Sequence, residues 1–293
     1  MSASFTVALP AGALLGEGPV WESRTNRLWW VDIAEKAVNR FDPASGRNEV
    51  WRLESRVGAV APTLHGDAIV AIQEGIARFD PVTGRLSGLH TPPQHDPATT
   101  RFNDGKCDPR GRFLAGTMSL TNAPRTGALY SFSAGGQVQV LLRDVSLSNG
   151  LGWSPDGTRM FYVDTPTRQI AVFNYDLDSG TLHDRRVAVD VPESFGYPDG
   201  LTVDADGMIW LALWGGGAVT RWDPHTGHLL ERHALPASQI TSCAFGGPLL
   251  DTLFITSARD GLSDEKLARE PLAGAIFSLR VSARGQPSTL FGG

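Results

Sequence analysis

The sequence of 293 residues has only two cysteines, Cys107 and Cys243. Two cysteines provide neither a disulfide framework nor a zinc-binding pattern, and both lie in apolar segments, which predicts buried core residues. The formal net charge of −5 provides no basic surface of the kind that binds nucleic acid or anionic lipid. We therefore expect no nucleic acid and no membrane as partners, but a small molecule.

Long apolar runs and helical periodicity are also missing. No uninterrupted apolar run reaches the roughly 18 residues that span a bilayer. Residues Met1 to Leu15 carry no basic residue ahead of their apolar stretch, so they do not resemble a secretion signal. No segment keeps a helical period over three turns, which disfavours a helical fold. These absences predict a cytoplasmic protein, and we expect a monomer because no extended apolar helix or tail is present.

Short apolar strands separated by turns are abundant instead, and the 33 glycines and 19 prolines suit many tight turns. In several repeats the strand after the apolar one ends in an Asp-Pro turn closed by glycine, as in Asp42–Gly46, Asp80–Gly84 and Asp223–Gly227. Six similar apolar strands recur along the chain. They are Arg27–Asp32, Ala68–Gln73, Arg112–Thr117, Arg159–Asp164, Met208–Leu213 and Thr252–Ser257.

The spacing of these repeats predicts the fold. The first strands of the repeats are anchored at residues 17, 58, 103, 149, 199 and 241. A period of about 45 residues with four short strands per repeat is typical of β-propellers. We therefore predict an all-β fold, a single domain over residues 1–293 that forms a six-bladed β-propeller with four-stranded antiparallel blades. Phe5–Leu9 is expected to close the ring against the last blade, and His90–Arg101 and Asp260–Pro271 are expected to be loops over one face.

Polar residues recur at one position of the repeat. Asn103, Asn149 and Asp199 each precede a turn glycine by eight residues, and Glu17 holds the corresponding place in the first repeat. Asn-Gly and Asp-Gly pairs are otherwise ordinary turn residues, but a shared offset is not expected of unrelated turns. Because the innermost strands of a propeller line a central channel, we expect these side chains to meet at one mouth of it.

Such a cluster suits a metal ion. Buried carboxylates are costly unless they are paired, and no lysine or arginine matches them at equivalent positions of other repeats. The oxygen ligands favour one divalent cation, Ca²⁺, Mg²⁺ or Mn²⁺, and they also accept Fe²⁺ or Zn²⁺. Three or four protein ligands leave coordination positions open, which is typical of a catalytic metal.

Other catalytic machinery is not apparent. The Gly-x-Ser-x-Gly motif of serine hydrolases is absent. The seven histidines are predicted to be solvated residues of loops and outer strands, which disfavours a histidine metal site. They are His65, His90, His95, His183, His225, His228 and His233.

Five motifs together resemble the senescence marker protein/regucalcin and gluconolactonase family of six-bladed propellers, and the resemblance runs in order from about residue 14 to residue 280. The motifs are Leu15–Trp21, Arg101–Lys106, Ala115–Met118, Ser148–Gly150 and Tyr197–Gly200. The resemblance implies that Glu17, Asn149 and Asp199 bind the metal. It also implies that Arg101 and Asn103 hold the substrate, with Asn103 contacting the metal directly or through water.

The activity that the resemblance implies is hydrolysis of a sugar lactone, such as a pentonolactone or gluconolactone, with Asp199 as the catalytic proton acceptor. A metal-dependent phosphotriesterase and a non-catalytic calcium-binding propeller are the alternatives. One departure from the family is Ser119-Leu120, which stands where animal relatives place an acidic residue. The bulky Leu120 and Trp214 are expected to lie near the pocket and to favour pentonolactones.

Overall fold

A computed structural model describes residues 5–292, which form 24 strands, two 3₁₀ segments and one short helix. The strands up to the middle of the chain are β1 (Phe5–Leu9), β2 (Gly16–Glu22), β3 (Arg27–Asp32), β4 (Ala37–Asp42), β5 (Arg47–Arg52), β6 (Val57–Pro62), β7 (Ala68–Ile72), β8 (Gly75–Asp80), β9 (Arg85–His90), β10 (Thr100–Cys107), β11 (Phe113–Ser119), β12 (Gly127–Phe132) and β13 (Val138–Val145). The later strands are β14 (Ser148–Trp153), β15 (Arg159–Asp164), β16 (Gln169–Tyr175), β17 (Leu182–Asp190), β18 (Tyr197–Val203), β19 (Ile209–Trp214), β20 (Ala218–Trp222), β21 (Leu229–Ala234), β22 (Ile240–Gly246), β23 (Thr252–Ser257) and β24 (Ile276–Arg280).

The strands form six antiparallel sheets of four strands each, the blades of a propeller. Blades one to five each contain four consecutive strands, β2–β5, β6–β9, β10–β13, β14–β17 and β18–β21. In blade six the order is β1-β24-β23-β22, so Phe5–Leu9 supplies the outermost strand. The predicted six-bladed propeller and its closure by the N-terminal strand are confirmed.

The turns form as their residues predict. The carboxylate of Asp42 accepts hydrogen bonds from the N–H of Ala44 at 2.9 Å and from the hydroxyl of Ser45 at 2.6 Å. Gly46 closes the turn with φ of 73°, a conformation that glycine adopts without strain. Asp80 and its turn repeat this arrangement, so the side chain of the aspartate shapes each turn before the fourth strand.

The core lies between neighbouring blades, where apolar faces of the sheets pack against each other. All residues of the inner strands β2, β6, β14 and β22 are buried. Both cysteines are buried without a disulfide, Cys107 in β10 and Cys243 in β22, as predicted. No helix within residues 5–292 is both long enough and apolar enough to cross a membrane.

Two local predictions are wrong. The stretch Asp260–Pro271 is not all loop, because the helix α1 (Asp264–Arg269) lies in it. The hydroxyl of Ser263 caps this helix and Asp264 and Glu265 occupy its first turn, a local signal that favours a helix start. His95 is not solvated, because the residue is only 9% exposed and its ring nitrogens contact Gln73 O and the Thr100 hydroxyl. The single domain predicted over 1–293 stays a prediction, and residues 1–4 and 293 lie outside the described range.

Candidate active site at one mouth of the central channel

The four predicted polar residues lie near the start of the inner strands of four blades. Glu17 is in β2, Asn103 in β10, Asn149 in β14 and Asp199 in β18, and each is 5% exposed or less. A break in the strand register occurs at this level in all six inner strands, for example between Ser148 and Leu151. Such bulges re-aim side chains, which lets residues at a strand end turn toward the channel axis.

The two carboxylates are close enough to affect each other's charge. The pKa of Glu17 is raised well above its usual value, first by burial and then by repulsion from Asp199 and Asp104, against weaker opposing effects of the Gly18 N–H and Arg101. The pKa of Asp199 is likewise raised well above its usual value, first by burial and then by Asp104. The structure therefore brings Glu17 and Asp199 together, as the sequence predicts.

The amide of Asn149 is oriented by its neighbours. Its Nδ2 donates to the hydroxyl of Thr165 at 3.0 Å, and that hydroxyl donates to the backbone oxygen of Pro198 at 2.9 Å. This leaves Asn149 Oδ1 buried without a hydrogen-bond partner, and Asp199 Oδ1 is in the same situation. Buried acceptors without donors are rare because they lose their hydration without compensation. Their presence side by side with Glu17 fits a bound cation.

The ligand set contains few acids. Within residues 5–292 no group of three or more His, Cys, Asp or Glu side chains is arranged to hold a metal ion. The candidate centre instead combines two carboxylates with one amide oxygen, from Glu17, Asp199 and Asn149. This all-oxygen set suits hard divalent cations, which complete their coordination with water or substrate.

Asn103 has a different environment from Asn149. Its Nδ2 donates to the backbone oxygen of Ser148 at 2.8 Å, which ties blade three to blade four. Its Oδ1 accepts a hydrogen bond from the guanidinium of Arg101 at 2.8 Å. Asn103 therefore links Arg101 to the cluster, an arrangement that suits its predicted place beside the substrate.

Two aspartates that the sequence analysis did not single out fix the chain just ahead of the candidate ligands. Asp32, at the end of β3, accepts from the N–H groups of Leu14 and Leu15 at 2.8 and 3.0 Å. Asp164, at the end of β15, accepts from the N–H groups of Ser146 and Leu147 at 3.1 and 2.9 Å. The shared signal in the sequence is a Val-Asp pair that ends the second strand of both blades.

Thr241 marks the same level of blade six. Its hydroxyl donates to the backbone oxygen of Gly16 at 2.6 Å, which ties blade six to blade one immediately before Glu17. Thr165 likewise ties blade four to blade five, through its hydrogen bond to the backbone oxygen of Pro198. The sequence places Thr241 at the repeat position, but Thr165 lies after a strand end and carries no repeat signal.

The positively charged side chain of Lys106 is half-buried and lies farther along the inner strand β10 than Asn103. Asp104 and Lys106 are two residues apart on β10, so they lie on the same face of that strand. The Nζ of Lys106 donates to the backbone oxygen of Leu201 at 2.8 Å. Burial raises the pKa of Asp104 and lowers that of Lys106, while their mutual attraction opposes both shifts. Lys106 does not occupy the repeat position of Glu17 and Asp199, so the absence of a basic residue at equivalent positions still holds.

A pocket of about 400 Å³ lies at the same end of the blades as the carboxylates, and Arg101 connects the two. Its lining includes the predicted loop residue Asp260 and, as expected, Leu120. Trp214 is not in the lining, and it pairs in strand register with Tyr197, two residues before Asp199. Its influence on the choice of lactone stays a prediction. The full lining is Leu15, Ile33, Ala34, Arg56, Arg101, Met118, Ser119, Leu120, Asn122 and Asp260.

The fold and this cluster define a class of protein, six-bladed propellers with an oxygen-rich centre at one mouth of the channel. A family model described as "SMP-30/Gluconolactonase/LRE-like region" matches residues 15–259. The chain belongs to this family, and the resemblance seen in its motifs is confirmed.

Similar proteins extend over nearly the whole chain. Regucalcin from Gallus gallus is 37% identical over 287 residues, 95% of each chain. The Bacillus subtilis protein named "Putative sugar lactone lactonase YvrE" is 35% identical over 282 residues, 96% of each chain. The crystal structure of a calcium-binding protein, regucalcin, from Agrobacterium tumefaciens has a TM-score of 0.94 at 32% identity and covers 99% of this chain and 98% of that one.

Proposed function

We propose that this protein is a lactonase that uses one divalent cation to hydrolyse a sugar lactone to the corresponding acid. The observation that carries the proposal is the pair of buried oxygens without donors, Asn149 Oδ1 and Asp199 Oδ1, beside the carboxylate of Glu17. Membership of the lactonase family and the name of the Bacillus subtilis relative support the same activity. The proposal includes a monomeric, cytoplasmic protein.

Glu17, Asn149 and Asp199 would hold the cation, which is Ca²⁺, Mg²⁺, Mn²⁺, Fe²⁺ or Zn²⁺. When bound, such an ion supplies Lewis acidity that polarises the lactone carbonyl and stabilises negative charge on its oxygen. The hydroxyl of Thr165 accepts a hydrogen bond from the amide nitrogen of Asn149, so the amide oxygen of Asn149 points away from Thr165.

Asp199 is the proposed proton acceptor. One of its carboxylate oxygens takes a proton from the attacking water, whose oxygen forms a bond to the carbonyl carbon. The ring C–O bond then breaks, and the leaving ring oxygen takes that proton back from Asp199. Because a lactone carries its own leaving group, no covalent nucleophile of the protein is needed.

Arg101 is the proposed substrate clamp. Its guanidinium already donates to Asn103 Oδ1 and to the backbone oxygen of Phe102 at 3.0 Å, which fixes its position at the pocket wall. The remaining donors of the fork are left to orient substrate oxygens.

The test is a panel of aldonolactones assayed with chelated protein and after adding back each cation. We expect turnover only with a cation, and we expect Asp199→Asn to lower kcat about a hundredfold to ten-thousandfold because the proton acceptor is lost. Asp206→Asn, a 73% exposed carboxylate of the same blade, is the matched control and should keep full activity.

Three results would contradict the proposal: full activity of Asp199→Asn, turnover that survives chelation, or no hydrolysis of any lactone by the cation-loaded protein. An aryl phosphotriester belongs in the same panel, and faster turnover of it would favour a phosphotriesterase. Cation binding with no turnover of either substrate would favour a non-catalytic calcium-binding propeller.

A further inference from the structure

Two arginines converge on the pocket without a carboxylate partner. The fork of Arg101 donates to Phe102 O and Asn103 Oδ1, and Arg56 donates only to the side-chain oxygen of Gln73, at 3.3 Å. Within residues 5–292 every hydrogen bond of these two guanidiniums therefore goes to an uncharged oxygen. Two cations on one pocket wall are unfavourable unless something negative shares the space.

The two guanidiniums affect each other. The pKa of Arg101 is lowered to about 10, first by burial and second by repulsion from Arg56, while Glu17 and Asp260 oppose the shift. Arg101 still carries its full charge at neutral pH. Both side chains line the same pocket, and Arg56 is the more exposed of the two.

The remaining charges of the pocket are few. Asp260 is the single acidic residue of the lining and lies exposed at the rim, while Met118, Ser119, Leu120 and Asn122 are uncharged. Below the pocket, a divalent cation would balance Glu17 and Asp199, and Lys106 offsets Asp104. With the cation bound, two arginines and one aspartate leave the pocket with one excess positive charge.

We propose that the preferred substrate is an anionic lactone, with a carboxylate or phosphate at the end remote from the lactone carbonyl, and that Arg56 is the residue that selects it. The inference rests on the proposed lactonase function and names its substrate class. A guanidinium recognises both groups through the same paired hydrogen bonds. The two arginines then have different roles, since Arg101 is hydrogen-bonded to Asn103 of the cluster, whereas the side chain of Arg56 contacts Gln73.

The size of the pocket agrees with this class. A volume of about 400 Å³ accommodates a six-carbon lactone with an additional acidic group and several waters. Asp260 reduces the excess positive charge but does not cancel it, because one carboxylate faces two guanidiniums. It is suited to accept hydrogen bonds from sugar hydroxyls.

The experiment compares the γ-lactones of glucaric and gluconic acid, which differ only in a carboxylate or a hydroxymethyl at the remote end. A gluconolactone phosphorylated on the terminal hydroxyl is the third substrate. We expect kcat/KM for one of the two anionic lactones to exceed that of the neutral lactone, mainly through KM. Arg56→Gln should reduce this preference about fivefold, as expected for loss of one partly solvated charge contact. Arg47→Gln, whose side chain is 77% exposed on blade one, makes the same change in net charge and should leave the preference intact.

A preference for the glucaric lactone identifies a carboxylate, and a preference for the phosphorylated lactone identifies a phosphate. The inference falls if the gluconic lactone is used as well as both anionic ones, or if Arg47→Gln changes the preference as much as Arg56→Gln. Turnover of the gluconic lactone would still uphold the lactonase function in that case.

Binding provides a readout that does not depend on turnover. Calorimetry with Ca²⁺-loaded protein should show tighter binding of glucarate than of gluconate, and chelation should weaken glucarate more because the carboxylates of the cluster are then uncompensated. Equal binding of the two acids would overturn the inference even if no lactone is hydrolysed.

Discussion

The candidate ligands are costly residues for the protein to bury. Glu17 and Asp199 lose their hydration and repel each other, and Asn149 Oδ1 has no donor to replace water. A protein keeps such groups in its interior when a ligand compensates them. The stability of the protein without a cation should therefore depend on the charge of these two acids.

The sign of that dependence follows from the raised pKa values of Glu17 and Asp199. Their contribution to stability is fully present below the ordinary carboxyl pKa of about 4 and is lost as the pH rises through the raised values. We expect the free energy of unfolding of the chelated protein, from urea titrations, to fall as the pH rises above the ordinary carboxyl pKa of about 4. The variant Glu17→Gln/Asp199→Asn should reduce this slope, and Asp104, whose pKa is also raised, should account for what remains. An unchanged slope would show that other groups cause it.

Saturating Ca²⁺ should reverse the trend, because the cation binds the ionised carboxylates and competes with protons. The same urea titrations with and without Ca²⁺ test this, and calorimetry in buffers of different ionisation enthalpy would detect the protons released. Asp206→Asn, a change in an exposed acid, should behave like the parent protein in both series.

Single residues were predictable from the sequence where they share a repeat position. Glu17, Asn149 and Asp199 could be found because equivalent places in different blades face one axis. Thr165 could not, because it acts from the end of a neighbouring strand and orients Asn149 through a contact between blades. Lys106 could not either, since its partner oxygen belongs to β18, almost a hundred residues later in the chain.

At the scale of the strands, glycines beside the ligands allow the inner strands to approach closely. A Cβ on Gly150 would lie 2.6 Å from the backbone oxygen of Asp199, and one on Gly200 would lie 2.1 Å from the hydroxyl of Ser242. Gly18 differs, because nothing lies closer than 3.8 Å and its φ of 53° is what requires glycine. In blades four and five, the close packing of neighbouring strands therefore requires glycine at the position after the candidate ligand.

Gly150→Ala should therefore displace β18 and with it Asp199. The nearest atoms are backbone and cannot rotate away, so we expect a loss of about 1–3 kcal/mol in the free energy of unfolding. Calcium affinity, measured by calorimetry, should fall as well because Asp199 moves relative to Glu17. Gly135→Ala is the control, since its Cβ would meet only Ser133 Oγ at 3.7 Å. Normal calcium affinity in Gly150→Ala would show that the strand spacing does not set the site.

The strands themselves were predictable to within one or two residues at most ends, since each is a short apolar run between turn residues. The breaks in register at the site were not, because a bulge depends on how two strands pair. The helix α1 was missed because six residues are too short for a periodic pattern, although its Ser263 cap is a readable signal.

At the scale of the whole molecule, both terminal segments of the chain pack against distant parts of the propeller. Strand β1 completes blade six beside β24, with Phe5 packed edge-on against Phe277 at 5.6 Å between ring centroids. After blade six, residues 284–292 run across the opposite mouth of the channel. There Gln286 Nε2 donates to the backbone oxygen of Trp153 at 3.0 Å, and Phe291 N donates to that of Pro62 at 3.0 Å.

The pairing of β1 with blade six was predictable from the sequence, and the path of residues 284–292 was not. Phe5–Leu9 is an apolar segment ahead of the first repeat, which made it the candidate for a strand that closes the ring. Residues 284–292 have no strand pattern, and their hydrogen bonds are made with blades two to six. They lie at the far mouth of the channel, opposite the end that holds the candidate ligands and the pocket beside Arg101.

The closed ring should make unfolding cooperative. Strands β2 and β22 both reach the level of the candidate site, and they belong to blades one and six. Weakening β1, which completes blade six, should therefore affect the site as well as that blade. We expect Phe5→Ala to lower the free energy of unfolding by about 1–3 kcal/mol, through loss of its packing against Phe277. Tryptophan fluorescence and release of bound Ca²⁺ should shift together in one urea transition. Val7→Ala, a change at a 36% exposed position of the same strand, should have a much smaller effect. A separate early transition in Phe5→Ala that leaves Ca²⁺ bound would show instead that blade six unfolds independently of the ring.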